Sequence, residues 1–199
     1  GTGYGSVISF TAESVAPTVT TYPATFVTGT QAQLNGTANP HGSGALGWFR
    51  YDTVDPGTCN NSFGTRAPLS GATSLGVGTS PVPYSEVING LTPGTTYYYC
   101  AIGLNNIDFG YGQIVSFTTP APPATTTLPA TNVMNEASQL NGSANPNGSL
   151  TSGWFRYSTT DPITCDDTFG TRAPLSGGAS LGSGTSAQAY AQTVTGLSP

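Results

Sequence analysis

Lysine is absent from this 199-residue chain, histidine and methionine occur once each, and the whole charge is four arginines against nine carboxylates. A net charge of −5 is too little positive charge to neutralise a phosphate backbone, which excludes nucleic acid as a partner. No apolar run approaches the roughly 20 residues of a membrane span, so no span is expected in this segment. No signal peptide opens the chain, although its first residues read as the middle of a domain. The lone histidine, His41, cannot build a histidine-based metal cluster or a repeated Cys–His pair, and reads as a loop residue. There is no Gly-x-Ser-x-Gly elbow. Gly76-Val-Gly78 and Gly182-Ser-Gly184 lack the spacing and the following helix that cradle phosphate. The sequence therefore points to no catalytic residue, cofactor or metal ligand, and the chain is not read as an enzyme.

What is abundant is glycine (27) and proline (16), together more than a fifth of the chain. Disorder is the first explanation to test, but a tenth of the residues are aromatic and they recur in alternating runs. Many short strands joined by Gly/Pro turns account for both facts, giving an all-β chain. Ser/Thr richness without lysine suggests a secreted or cell-surface protein.

Pro17–Pro93 aligns without a gap on Pro123–Pro199 at an offset of 106, with 45 of 77 positions identical. Trp48/Trp154, Arg50/Arg156, Cys59/Cys165 and Arg66/Arg172 are among the identities. This is a tandem repeat of a length that suits one sandwich domain per unit. The first domain is placed at residues 15–119 and the second at 122–199, with Pro120-Ala-Pro-Pro-Ala124 as a stiff connector. Likeness of Tyr4 to Tyr111 and Phe10 to Phe117 marks residues 1–12 as the last strand of a preceding repeat, followed by a linker from Glu13 to Pro17. On the same reading the second domain lacks its last two strands. That reading makes the chain an excerpt of a longer one, with exchange of end strands between copies as the alternative.

Cys59 and Cys100 share one repeat, while the partner of Cys165 would lie just past Pro199. A Cys59–Cys100 bridge would close a loop worth roughly 4 kcal/mol in the chain-entropy model. Two buried free thiols are the alternative. Asn35, Asn60, Asn141 and Asn147 each open an Asn-x-Ser/Thr sequon, with Asn60 and Asn147 the better acceptors of a glycan. Asp52, Asp55, Asp161, Asp166 and Asp167 could in principle converge on a hard cation. Asn60 and Asn61 stand where the second unit has Asp166 and Asp167, so turn formation is preferred.

The stretch Leu91-Thr-Pro-Gly-Thr-Thr-Tyr-Tyr-Tyr-Cys100 opens a strand after a Pro-Gly turn. Alternation sets Tyr97, Tyr99 and Ala101 on one face, and Tyr98, Cys100 and Ile102 on the other. Leu91, Pro93 and Tyr97 resemble the strand E to strand F signature of fibronectin type III domains, with Tyr97 as the buried tyrosine of the corner. Residues 179–186 and 193–199 look like the bacterial secreted form of that family, while the cysteines and the insertion after strand C depart from it. The resemblance implies tandem immunoglobulin-like β-sandwich domains. It turns Phe49 and Tyr51 inward, and turns Glu86 inward too, where a bend or slip of strand E is expected. It leaves Trp48, Arg50 and Tyr98 on the outer face, Arg50 stacked on Trp48. Either the long loop after strand C covers this patch, or part of it, with Trp154 and Arg156 in the second unit, stays open as an interface.

The family implies spacing, adhesion or fibre building. The first reading is thus a non-catalytic extracellular rod or fibre whose partners are other copies, neighbouring repeats or surface glycans. An accessory module of a secreted polysaccharide-degrading enzyme is the alternative.

Overall fold

Alternation of small apolar and polar residues is what fixes the first sheet. In the computed structural model, which describes residues 1–9 and 15–198, β2 (Gln31–Asn39) turns Ala32, Leu34, Gly36 and Ala38 inward and its polar residues outward. It is flanked by β1 (Thr18–Thr25) and β6 (Val82–Asn89), both antiparallel to it. Proline cannot donate to a ladder, and β1 accordingly lies at the sheet edge with a register shift between Tyr22 and Thr25, around Pro23. Asn35 holds that bulge, its amide donating to the Pro23 carbonyl at 2.9 Å and to Thr25 Oγ1 at 3.1 Å.

The second sheet is built on β3 (Ala45–Asp52) and β7 (Thr96–Leu104), paired from Leu46↔Leu104 to Asp52↔Tyr98. On the far side of β3 lie two short strands, β4 (Thr65–Ala67) and β5 (Thr73–Gly76). Beyond β7 lie β8 (Phe109–Tyr111) and β9 (Val115–Thr118). The last strand, which the sequence places over Gln113–Thr119, is β9, and β8 is a further short strand before it. Between them the backbone of Gly112 presses on β1: a Cβ there would sit 2.3 Å from Thr21 Oγ1, so only glycine fits.

The two sheets enclose one core. Leu34, Tyr84 and Ile88 come from the first sheet and Phe49, Tyr97, Tyr99 and Ala101 from the second. Tyr84 meets Phe49 with ring centroids 4.9 Å apart, and its hydroxyl donates to the Ile102 carbonyl at 2.9 Å. Tyr99 donates its hydroxyl to the Tyr22 carbonyl, and the Ala101 amide donates to Thr21 Oγ1 at 3.0 Å. These bonds tie β7 to β1 across the sandwich, and burial pushes both tyrosine hydroxyls well above their ordinary pKa.

The bend expected at Glu86 does not occur. β6 stays in register with β2 throughout, with Leu34 opposite Glu86. The carboxylate is only half-buried, on the rim of a cavity of about 380 Å³ that Tyr51 and Arg66 also line. Access to water there removes the cost that would have forced a slip.

Seven further strands make the second unit: β10 (Ala124–Thr131), β11 (Ala137–Asn145), β12 (Thr151–Gly153), β13 (Phe155–Tyr157), β14 (Thr171–Ala173), β15 (Ala179–Gly182) and β16 (Gln188–Thr195). β10-β11-β16 repeats β1-β2-β6, including the bulge and its asparagine, here Asn141. β12 pairs with β15 and β13 with β14, so the counterpart of β3 is interrupted at Trp154. Among the described residues this unit has no counterpart of β7, β8 or β9, and β10 is exposed along its whole length. The chain divides into two compact units, one of residues up to Leu91 with Thr96–Thr119, the other of Thr92–Thr95 with the residues from Pro120 on. Residues 1–9 form no strand. The rest of the strand placed at 1–12, and Glu13 and Ser14 of the linker, lie outside the described residues, as does Pro199.

Close approach of the sheets makes a direct prediction. A Cβ at Gly36 would lie 2.7 Å from Ala101 Cβ and 3.1 Å from the Thr20 carbonyl, whereas at exposed Gly44 it meets only Val77, at 3.9 Å. Gly36→Ala should cost about 1–3 kcal/mol in urea unfolding, the usual penalty of overpacking, and Gly44→Ala within about 0.5 kcal/mol of nothing. Equal effects would contradict the packing described.

Candidate functional site

The segment between β3 and β4 is held in turns by its own acidic and amide side chains. Asp52 Oδ1 accepts from the Thr53 and Val54 amides, Asp55 Oδ1 from Gly57, and Asn60 Oδ1 from Ser62 and Phe63. Each is a short-range side-chain-to-backbone bond of the Asx kind. They deliver Cys59 to the outer face of the second sheet, where it is bonded to Cys100 with Cα atoms 6.0 Å apart. The strap so formed crosses β3 and β7 and makes a second, smaller core of Trp48, Cys100 and Ile102, with Phe63 and Phe109 packed against it.

Trp48 is the centre of this layer. Arg66 lies over its ring at 4.7 Å, Phe109 meets it edge-on at 6.0 Å, and its indole N–H donates to Asn61 Oδ1 at 3.0 Å. Only 4% of Trp48 remains exposed, so in the first unit the loop covers the tryptophan, the first of the two alternatives. The loop covers it because a disulfide, an arginine stack and an indole hydrogen bond all pull the strap inward. Tyr98 and Arg50 are half-buried on the same face. The arginine on the ring is Arg66 and not Arg50, a correction that follows from pairing: Arg50 faces Arg66 across β3–β4, and its Nη1 turns to the Phe63 and Gly64 carbonyls. Arg50 Nε is buried without a hydrogen-bond partner.

The second unit builds a similar loop over its tryptophan, with Cys165 unbonded and a different acceptor at the indole. Arg172 lies over Trp154 at 4.7 Å, and Arg156 Nη1 again bonds the Phe169 and Gly170 carbonyls. Where the first unit has Asn61, the second has Asp167, whose Oδ1 accepts from the Trp154 indole at 2.8 Å and from Arg156 Nε at 3.1 Å. The extra lone pairs of a carboxylate satisfy the guanidinium nitrogen that an amide leaves unpaired. The indole bond first, and Arg156 next, hold the Asp167 carboxyl below its usual range; Asp166 is lowered chiefly by its bond from the Thr168 hydroxyl. Trp154 is 37% exposed and Cys165 is an exposed free thiol.

The sequon asparagines are structural. Asn35 and Asn141 spend their amides on the β1 and β10 bulges, and Asn60 is a turn former. Asn147 donates its amide to the Pro122 carbonyl at 2.6 Å. The acidic residues likewise serve as turn caps and as the indole acceptor. Among the described residues no group of three or more His, Cys, Asp or Glu could hold a metal ion. His41 shares a 2.8 Å hydrogen bond with Thr18 Oγ1. Sequence reasoning missed the parts played by Arg66, Asn61 and Phe109. One signal was present: Phe63–Gly71 is identical to Phe169–Gly177 over nine residues, and it contains the stacking arginine.

No family model matches the chain, and no curated protein matches it. Solved structures of the sensor domain of the anti-sigma factor RsgI4 of Pseudobacteroides cellulosolvens are similar to part of it. A shorter form matches 55% of this chain and 99% of its own at 23% identity, with a TM-score of 0.37. A longer form matches 59% and 99% at 20% identity, with a TM-score of 0.36. A solution structure of the same domain matches 52% and 74% at 23% identity, with a TM-score of 0.37. Likeness at this level carries no inference about activity.

The two acceptors can be told apart by pH. The Asp167 carboxyl is lowered in the folded state, so its contribution is fully present above the ordinary carboxylate pKa of about 4 and is lost as pH falls through the lowered value. With two tryptophans in the chain, the Trp154 indole N–H resonance should move with pH in that acid range and the Trp48 resonance should not. Asn61→Asp should transfer the titration to Trp48 and, by giving Arg50 Nε an acceptor, stabilise the first unit by about 1–2 kcal/mol at neutral pH. A destabilised variant, or two indoles that titrate alike, would refute the assignment.

Proposed function

We propose that the chain is a non-catalytic structural repeat of the fibronectin type III kind, working outside a cell as a length of rod or fibre. The observation that carries this reading is one three-stranded sheet built twice: the same strand order, the same bulge and the same arginine-on-tryptophan stack recur at a constant offset in a single chain. The sheets of the first unit, β1-β2-β6 against β4-β3-β7-β8/β9, suit the lettering A-B-E and C′-C-F-G that the resemblance supplies. The polar side chains that could have made a reactive centre are spent on turns, bulges and the strap. No helix among the described residues is long and apolar enough to cross a membrane. The disulfide favours an oxidising compartment, in keeping with work outside the cell.

A rod made this way resists extension through the bridge. Single-molecule stretching should release about 140 Å more contour length from the first unit after reduction than before, the reach of the 41 residues that Cys59–Cys100 shields at about 3.4 Å each. Electron micrographs of the assembled protein should show filaments with an axial repeat of one unit. Isolated beads, with no change in contour length on reduction, would refute the proposal.

A further inference from the structure

The three-stranded sheet of each unit has two edges, and they are finished differently. β1 and β10 carry a proline and a bulge, which discourage another strand from pairing there. β6 and β16 have no bulge. Each runs in unbroken register with its neighbour, and its other side has no partner strand among the described residues. In the first unit β7, β8 and β9 belong to the opposite sheet, so the β6 edge is free in a unit that has them. β16 holds the same place in its sheet, and its edge is free for the same reason. What guards β6 is its sequence: Pro83 has no N–H to give, and Glu86 sets a charge on the inner side of the edge. At the constant offset these residues are Ala189 and Gln192, and the eight residues of β16 include neither proline nor charge.

We infer that the free edge of β16 pairs antiparallel with β16 of a second copy of the chain, about a two-fold axis at Gln192, joining two three-stranded sheets into one. The partner is a second copy because the strand is complementary to itself about that residue. With Gln192 opposite Gln192, Tyr190 and Val194 oppose each other on the inner face. On the outer face Ala191 then opposes Thr193, and Ala189 opposes Thr195. Aromatic with β-branched, and small with small, are pairs that suit adjoining strands. The same register in the first unit would set Glu86 on Glu86, a like-charge pair, and Pro83 on Asn89. Beside the β16 edge lies a cavity of about 400 Å³ lined by Tyr157, Leu175 and Gln192, with Leu175 82% exposed, over which the partner strand would close. A cavity of about 380 Å³ lies at the matching place beside β6. The inference rests on the sheet edges and not on the rod reading, since a dimer satisfies it without a filament.

Analytical ultracentrifugation of the full chain tests this, with Cys165→Ser to remove cross-linking through the exposed thiol. The account expects a monomer–dimer equilibrium. Gln192→Glu and Ala189→Pro copy the first unit's own residues, which the same sheet accepts there. Each should weaken dimerisation at least tenfold and leave tryptophan emission unchanged. In the same background Gln192→Cys should cross-link two chains on oxidation, because antiparallel neighbours stand about 4.5–5.5 Å apart at Cα, within the span of a disulfide. Ala189→Cys, which the register sets opposite Thr195, should not. A chain that stays monomeric at every concentration would overturn the inference. So would a dimer that Gln192→Glu leaves intact, or cross-linking as fast from position 189 as from position 192.

Discussion

One strand buried on both faces holds the first unit together. Tyr99, Cys100, Ala101 and Ile102 are four consecutive residues with no exposed surface, although strand geometry sends alternate members to opposite sides. Tyr99 and Ala101 close the core between the sheets, while Cys100 and Ile102 form the floor of the layer under the strap. A strand in a two-sheet protein ordinarily has one wet face. Here the loop from Thr53 to Gly64 takes the place of water, and the disulfide fixes it there. Each buried side chain of this kind contributes about 1.5–3 kcal/mol relative to exposure. Both layers therefore depend on the same nine-residue element, and on β3 beside it.

Scarcity of charge explains how the polar groups are used. With four arginines and nine carboxylates in 199 residues, few surface ion pairs are available, and such pairs stabilise little. The arginines instead sit half-buried, two stacked on tryptophan and two bonded to loop carbonyls. Asparagine, threonine and aspartate do the local work of turns and bulges. At the indole the two units differ chemically: an amide accepts one bond there, and a carboxylate accepts two.

Much of this was legible from residue patterns, for a physical reason. Period-two alternation along Gln31–Ala38 and Tyr97–Ile102 leaves little choice of buried face, and Pro23 could only sit at an edge or a bulge. Cys59 and Cys100, paired by their place in one repeat, also met. Glu86 misled because a burial pattern does not reveal a wet rim cavity, and that depends on how β4 and β6 diverge. Stacking on Trp48 misled because Arg50 and Arg66 are cross-strand neighbours, and only their pairing decides which one reaches the ring. The extra strand β8 and the break between it and β9 turn on Gly112 touching Thr21, a contact made across 91 residues of sequence. The sequence carries no local mark of it.

Native-state hydrogen exchange measures most directly whether β7 is the element on which the rest depends. The Tyr99–Ile102 amides should be the slowest in the chain and should exchange only with global unfolding of the first unit, whereas amides of β10–β16 should exchange earlier. Amides of β1, β2 and β6 that stay protected after β7 has exchanged would contradict the account.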